Sequence, residues 1–370
     1  MFDGKSLFLL ISLTINYVAP GININPEICK SGAKCMILED CVDLYERFNE
    51  GTSAIYIKLF QKLQCGFNGN QSKICCPPNF LTSVGDTSNI NQTNKLKILP
   101  NNTVCGIDTK IINRISGGEE TEIGEHPWLA LLNYGPPSTN SFYCSGVLIS
   151  SRYVMTAAHC VKRTLEDVTV SQVRLGEWDL LRNTDCSKNY CSSDAIDVDV
   201  EEIVVHENFI IGDPSFHHDI ALLRLAQDVT FSDFIRPICL PIDTEIRENN
   251  FEHSVHAEIA GWGQNEYSSF SEKKLKAKVS VVNLETCKKA YAYGKHVITN
   301  NHICAGGERG KDICDGDSGG PLMVQVQDKR IWMAVGVSSF GPATCGVEGW
   351  PSVFTRVTSY VPWILSKIRP

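Results

Sequence analysis

Sixteen cysteines among 370 residues are the feature that most constrains how this chain can fold. The number is high for a protein of a reducing compartment and it is even, which indicates an oxidising compartment and a framework of disulfide bonds. Six of the cysteines fall within residues 29–76, and the other ten are Cys105 and nine cysteines beyond residue 140. The two groups predict a small stapled module followed by a larger disulfide-bonded domain.

The small module is expected to span residues 28–77. It has too few apolar residues for a core of its own, so disulfides would have to hold it together. Its six cysteines can pair in many ways, and spacing alone does not choose among them. A zinc site is the alternative, which the absence of any histidine in the cluster disfavours. Residues 78–114 are polar and rich in Asn, Ser and Pro, which predicts a linker.

The N-terminus predicts export of the protein. An apolar run at Leu7–Ile15 follows Lys5 and is followed by small and turn residues at Ala19–Gly21. The run is too short to cross a bilayer, so we expect a signal peptide over residues 1–20 and a secreted, extracellular protein. No later segment predicts a membrane span. Three sequons are then candidate glycosylation sites, namely Asn70, Asn91 and Asn101.

From residue 120 onward the pattern is that of an all-β domain. Short apolar runs are bounded by Gly, Pro, Asn or Asp, and no βαβ rhythm separates them. This favours antiparallel sheets closed into barrels or sandwiches. A helix is expected only at the C-terminus, where Tyr360–Ile368 begins near a proline. The net charge of −8 provides no basic surface, which argues against nucleic acid as a partner.

The stretch Gly316–Gly320, GDSGG, predicts a nucleophile held in a turn whose backbone N–H groups can face a developing oxyanion. A serine such as Ser318 becomes reactive when a histidine takes its proton and a carboxylate orients that histidine. His159 in TAAHC and Asp219 in DIALLRL are the candidate partners. Taken singly, Ser318 could be a serine in an ordinary turn, His159 a half-buried histidine and Asp219 the cap of a strand. The combination favours a catalytic triad.

These three strings resemble the signatures of the chymotrypsin–trypsin family of serine proteases over residues 115–370. The resemblance implies two packed six-stranded antiparallel β-barrels with the triad between them. It assigns His159 as general base, Asp219 as the residue that orients it and Ser318 as nucleophile. The amides of Gly316 and Ser318 would form the oxyanion hole.

The same resemblance implies a primary specificity pocket. Asp312 would lie at its floor and favour substrates with Arg or Lys before the scissile bond, while Ser339 and Gly341 would pair with the substrate backbone. The chain departs from the trypsin pattern at Ile313, where Ser or Ala is usual, and at Ser352, where Gly is usual. Both changes should make the pocket narrower or less polar.

The resemblance further implies a zymogen. Cleavage between Arg114 and Ile115, in NRISGG, would free an amine that pairs with Asp317 beside the nucleophile. No cofactor is required for this chemistry.

The N-terminal cysteine cluster resembles the clip domain of arthropod clip-domain serine proteases, in its easter-like and prophenoloxidase-activating branch. The spacing of Cys29, Cys35 and Cys41 and the adjacent Cys75 and Cys76 carry this resemblance. The pairing it implies is Cys29–Cys75, Cys35–Cys65, Cys41–Cys76, Cys105–Cys239, Cys144–Cys160, Cys186–Cys191, Cys287–Cys304 and Cys314–Cys345.

The acid-rich loop around Cys186 and Cys191 is a candidate calcium site, because relatives can bind Ca²⁺ there through carboxylates and carbonyls. Glu177 is the first candidate ligand, with Asp194 or Asp197 on the far side. A solvated acidic loop is the alternative.

Together these features predict a secreted trypsin-like zymogen that acts in an extracellular cascade of immunity or development. Its substrate would be a zymogen, prophenoloxidase or a cytokine precursor, and its partners an upstream activating protease and a serpin. The alternatives are a venom or digestive protease of broader specificity, and an inactive homologue that works as an adaptor. The presence of all three triad residues disfavours the adaptor.

Overall fold

The computed structural model describes residues 29, 34–37, 64–68, 71–76, 98–108, 119–136, 140–162, 169–187, 190–247, 251, 257–264, 270–309, 313–314, 316–326, 331–342 and 344–370. The chain divides into two compact units, Met1–Asn94 and Lys95–Pro370.

The first unit contains a small antiparallel sheet stapled by disulfides. Its strands are β1 (Lys34–Ile37), β2 (Gln64–Asn68) and β3 (Gln71–Cys76), hydrogen-bonded in the order β1-β3-β2. Bridges join Cys29 to Cys75 and Cys35 to Cys65. Cys41 lies outside the described residues. Each bridge has at least one cysteine in this sheet. The bridges stabilise a module whose apolar residues are too few to form a core.

The second unit is built mainly from short strands joined by turns. Its first half contains β4 (Glu119–Glu120), β5 (Leu129–Asn133), β6 (Phe142–Leu148), β7 (Tyr153–Thr156), β8 (Gln172–Leu175), β9 (Cys186–Ser187), β10 (Tyr190–Cys191), β11 (Ile196–Val205) and β12 (Ala221–Leu225). Its second half contains β13 (Ala257–Gly261), β14 (Leu275–Val279), β15 (Val281–Val282), β16 (His302–Ala305), β17 (Pro321–Val326), β18 (Ile331–Phe340) and β19 (Ser352–Arg356).

Six strands of the first half form a closed antiparallel barrel. Their order is β11-β12-β7-β6-β5-β8, and β11 pairs with β8 to complete the ring. Strands β5, β7 and β12 are buried along their whole length. They are therefore covered on both faces, which explains why they are nearly continuous apolar runs rather than alternating ones.

The second half forms a curled sheet with the order β15-β16-β19-β18-β17-β13-β14-β4. Only Ser280 separates β14 from β15, yet β14 pairs with β13 and β15 pairs with β16. One bent stretch of chain thus contacts both ends of the five-strand set β16-β19-β18-β17-β13 and curls it toward closure. The predicted all-β fold with two antiparallel barrels is confirmed.

Four helices are described: α1 (Ala158–Val161), α2 (Thr244–Arg247), α3 (Leu284–Ala290) and α4 (Val357–Lys367). The C-terminal helix was predicted over Tyr360–Ile368, with a proline at its start. It begins earlier, and Pro362 lies in its second turn. Pro362 has no amide hydrogen to donate to the carbonyl of Thr358. The lost hydrogen bond therefore lies close to the N-terminal end of the helix.

The segment before the predicted protease domain is part of the second unit. Leu99 is buried in the core of the first barrel, and Cys105 is bridged to Cys239. The amide of Gly106 donates to the carbonyl of Pro237 over 2.8 Å, and its carbonyl accepts from the amide of Trp332 over 2.9 Å. The second unit therefore begins at Lys95, inside the predicted linker.

None of the helices formed by described residues is both long and apolar enough to cross a membrane.

The disulfides predict a graded effect on stability. Cys105–Cys239 closes a sequence separation of 134 residues, and Cys186–Cys191 closes one of 5. In the chain-entropy description, the long loop contributes about 5 kcal/mol and the short one about 2 kcal/mol. Replacing both cysteines of each pair by serine and measuring urea unfolding should reproduce this order. Equal losses in the two double variants would contradict it.

Candidate active site

Asp219 is a fully buried carboxylate at the start of β12, and its acceptor atoms are satisfied by groups from distant elements. Its Oδ2 accepts from Nδ1 of His159 over 2.7 Å and from Oγ of Ser339 over 2.5 Å. Its Oδ1 accepts from the backbone amide of His159 over 2.8 Å. Because a carboxylate only accepts, the bond to Nδ1 places the histidine proton there and leaves Nε2 as a proton acceptor.

His159 is held rigidly although part of its ring reaches the surface. It lies in α1, directly after β7, and its neighbour Cys160 is bridged to Cys144 in β6. The side chain is 22% exposed. One edge packs against Phe216 with ring centroids 5.6 Å apart. The bonds to Asp219 and the packing against Phe216 therefore hold the ring in place.

Ser318 lies beside this histidine. The Sγ of Cys160 is 3.5 Å from the carbonyl oxygen of Ser318 and 3.7 Å from Nε2 of His159. The Ser318 carbonyl also accepts from the amide of Ser145 over 2.8 Å. Residues far apart in sequence, His159, Asp219 and Ser318, are thus brought together where the first barrel meets the second sheet.

The glycines around Ser318 are required by backbone conformation and by close contacts. Gly316 has φ +100° and Gly319 has φ +81°. A Cβ on Gly319 would lie 2.2 Å from Oγ1 of Thr156, and one on Gly316 would lie 2.9 Å from the ring of Phe270. Side chains are excluded at both positions. The carbonyl of Gly316 accepts from Oγ of Ser145 over 3.1 Å, which fixes the peptide before Asp317.

Asp317 points away from the nucleophile into a recess formed by backbone. Its carboxylate accepts from the amide of Gly263 over 2.8 Å and from that of Cys314 over 3.3 Å. Desolvation raises the pKa of Asp317 to about 6, although these amides oppose the shift. A Cβ on Gly261 or Gly263 would lie 2.1 or 2.3 Å from the carboxylate oxygens. Sequence reasoning missed both glycines, which the string GWG could have indicated.

Ser339 has a role that sequence reasoning did not assign. The expectation was backbone pairing with substrate, but its hydroxyl is used to hold Asp219. Gly341 follows the end of β18, and a Cβ there would lie 2.7 Å from Oγ of Ser352. Ser352 is itself buried, so it occupies space next to the segment expected to bind substrate. Ile313 is half-buried and packs against the core of the second sheet.

Residues 115–364 match the family described as Trypsin. The chain is also 47% identical over 351 residues to the CLIP domain-containing serine protease HP8 of Bombyx mori, covering 94% of each chain. The chain belongs to the trypsin family, among the clip-domain serine proteases.

Other clip-domain proteases show the same likeness across most of the chain. Serine protease ea of Drosophila melanogaster is 40% identical over 353 residues, which is 91% of this chain and 88% of the relative. The crystal structure of the Drosophila Grass clip serine protease of the Toll pathway aligns with a TM-score of 0.63 and 31% identity, covering 90% of this chain and 93% of that one.

An aromatic stack borders the triad of this clip-domain protease. The ring of Phe340 stacks on Phe216 at 5.5 Å and on His296 at 4.8 Å. Phe216 and His218 have φ +49° and +58°, a region that non-glycine residues rarely adopt. The turn that presents Asp219 is therefore held in a strained conformation by its surroundings. Sequence reasoning did not find this stack, because its members come from three separate segments.

The acidic loop holds an arginine between its carboxylates. Arg174 makes two bonds of 2.8 Å to Asp197 and lies 3.5 Å from Glu177. Asp194 instead accepts from Thr184 over 2.5 Å. A calcium ion bound by Glu177 and Asp197 would have to displace the guanidinium from both carboxylates, and calcium binding stays a prediction.

The remaining predicted site residues are placed only in part. Asn101 is exposed, and its Oδ1 accepts from Oγ1 of Thr103 over 2.6 Å within the sequon. The structure pairs Cys287 with Cys304 and Cys314 with Cys345. Outside the described residues lie Asn70, Asn91, Arg114, Ile115 and Asp312.

Glu177 predicts a pH dependence of stability. Burial raises its pKa from 4.5 to about 7. Between these values the folded protein keeps a proton that the unfolded chain releases, so stability falls as pH rises from about 4.5 to 7. Glu177→Gln cannot ionise and should lose this decline, gaining on the order of 1–3 kcal/mol relative to wild type across the window. Urea unfolding at several pH values measures it.

Asp194→Asn is the matched control, because Asp194 is an exposed carboxylate of the same loop. It should keep the slope of the wild type. If Glu177→Gln and wild type showed parallel pH profiles, the burial argument for Glu177 would be wrong.

Proposed function

We propose that the protein is the secreted zymogen of a serine endopeptidase that cleaves after arginine or lysine in an extracellular proteolytic cascade. The observation that carries the catalytic part is the 2.7 Å bond between the buried Asp219 and Nδ1 of His159, with Ser318 beside that histidine. This arrangement leaves Nε2 free to act as a base toward the serine hydroxyl.

The proposed reaction follows from these positions. Oγ of Ser318 attacks the carbonyl carbon of the scissile peptide while its proton moves to Nε2 of His159. Asp219 keeps the ring oriented and stabilises the imidazolium that forms. The amides of Gly316 and Ser318 donate to no acceptor among the described residues and are available to the oxyanion. His159 then protonates the leaving amine, and water completes hydrolysis by the same steps.

Preference for basic residues rests on Asp312. A carboxylate at the floor of a narrow pocket would pair with a guanidinium or ammonium that must leave water to enter it. Ser352, buried next to Gly341, supports a pocket of reduced volume.

Activation by cleavage at Arg114–Ile115 is supported by a defined anchor downstream of the bond. Thr121 is buried, and its amide donates to the carbonyl of Lys274 over 2.9 Å. Its carbonyl accepts from the indole of Trp178 over 2.8 Å. Ile115 is only six residues before Thr121. The new terminus would therefore be a short segment held at Thr121, and we propose that it reaches Asp317. A free ammonium arriving there would compensate the carboxylate whose pKa desolvation has raised.

The cascade role rests on the relatives. They include a Spaetzle-processing enzyme of Drosophila melanogaster, 37% identical, and phenoloxidase-activating factor 3 of Holotrichia diomphalia, 41% identical. By analogy the substrate would be a protein such as a zymogen, prophenoloxidase or a cytokine precursor. An upstream protease would activate the protein and a serpin would stop it. We place it outside the cell, and the disulfide framework supports this location.

Ser318→Ala tests the chemistry. The activated wild type should hydrolyse peptidyl-arginine amides in preference to the phenylalanine analogues. The variant should lose several orders of magnitude in kcat, because members of a triad act as a unit. Retained turnover in the purified variant would contradict the mechanism, whereas loss of turnover with no arginine preference in the wild type would contradict only the assigned specificity.

Arg114→Gln tests the activation step. With a trypsin-like activator supplied, the variant should stay uncut and inactive, since no ammonium reaches Asp317. The wild type should be cut and gain activity. Its two chains should separate on a gel only after reduction, because Cys105–Cys239 spans the cut.

Full activity in uncut Arg114→Gln would contradict the zymogen proposal. Separation of the cut wild type without reductant would contradict the bridging role of the disulfide and leave the activation step standing.

A further inference from the structure

Three potential metal ligands lie buried together away from the triad. Glu125 and His126 precede β5, and Glu258 lies in β13; one ligand atom from each falls within 4.8 Å of the others. The exposed fractions of the residues are 1%, 0% and 4%. The cluster therefore links the segment that enters the first barrel to the second sheet.

His126 presents buried nitrogens that make no aligned hydrogen bond with any residue that the structure describes. Neither Nδ1 nor Nε2 makes a hydrogen bond in the described part of the chain. The ring also contacts Trp128, tilted by 53° with centroids 5.6 Å apart, and Trp332, nearly perpendicular with centroids 5.5 Å apart. A buried polar group left in this state costs free energy, and a bound ion or water is the usual explanation.

The position of Glu258 favours an ion. Its Oε2 lies 3.2 Å from Nε2 of His126, close enough for a hydrogen bond but not aligned as one. Two ligands of a tetrahedral zinc ion, each bound at about 2.1 Å, are separated by about 3.4 Å. The two atoms thus have the spacing of neighbouring ligands that converge on a third point.

We propose that Glu125, His126 and Glu258 bind a zinc ion that joins the two sheets. One imidazole and two carboxylates suit Zn²⁺, whereas Ca²⁺ and Mg²⁺ prefer all-oxygen sites. This site is independent of the proteolytic chemistry, and its role would be structural.

Lys276 competes with the metal. Its Nζ lies 2.6 Å from Oε1 of Glu125, and the other oxygen of that glutamate accepts from the amide of Glu122 over 3.0 Å. A zinc ion would share the Glu125 carboxylate with this ammonium. Removing the ammonium should therefore strengthen zinc binding, an effect opposite to that expected for a simple cluster of ion pairs.

The first experiment measures metal content. The untagged full chain, uncut, is incubated with zinc chloride, dialysed and analysed by atomic emission, beside His126→Gln and His206→Gln. His206 is the control because it is a part-buried histidine outside the cluster, stacked on His218 at 4.7 Å. We expect about one zinc per chain in the wild type and in His206→Gln, and none in His126→Gln. No zinc in the wild type, or equal zinc in His126→Gln, overturns the proposal.

The second experiment measures thermal unfolding with and without zinc, and it separates loss of the site from loss of the fold. Zinc should raise the unfolding temperature of the wild type, since it binds only the folded chain, and should not shift that of a folded His126→Gln. Lys276→Met should retain zinc at lower free concentrations than the wild type. If Lys276→Met unfolds at a temperature that zinc does not change, the cluster is a set of ion pairs and the proposal is wrong.

Discussion

The structure of this site depends on the burial of one carboxylate. Asp219 is removed from water, so every acceptor it carries must be met by the protein. His159 and Ser339, which lie 60 and 120 residues away in the chain, donate to the carboxylate, and Thr355, 136 residues away, donates to the backbone carbonyl of Asp219. Thr355 belongs to β19 and Ser339 to β18, while His159 follows β7 of the first barrel. Satisfying this carboxylate therefore requires both sheets to be folded and joined, and the same bonds that stabilise the joint orient the ring of His159.

A second constraint is the close approach of the backbone around the nucleophile. Positive φ values at Gly316 and Gly319 and contacts near 2–3 Å for any added Cβ leave no room for side chains there. Asp317, between them, is received by the backbone at Gly261 and Gly263. Glycine is thus required in two separate segments, in the turn that presents Ser318 and in the recess at Gly261 and Gly263 that accepts Asp317.

Short strings and spacings predicted much of the molecule, and they failed where distant side chains meet. Turn residues between apolar runs predicted the β class, and TAAHC, DIALLRL and GDSGG predicted residues that the fold brings together. The C-terminal helix was predicted with the wrong start, because local proline rules did not account for the packing of Val357 in the core. The acid-rich loop gave no indication that Arg174 lies between Glu177 and Asp197. The arginine is on β8 and contacts Asp197 across the pairing of β8 with β11.

By itself, then, the sequence determined the properties that depend on neighbouring residues and composition: the strands, the turns, the disulfide framework implied by cysteine content, and the residue types of a nucleophilic site. Only the tertiary structure decided which groups hold Asp219, that the hydroxyl of Ser339 serves the triad, that Asp317 lies in a recess that raises its pKa, and that His126 faces Glu258. Each of these depends on burial and on contacts between residues far apart in the chain. Local propensity carries no information about such contacts, because their free energy arises only when water is excluded by the assembled sheets.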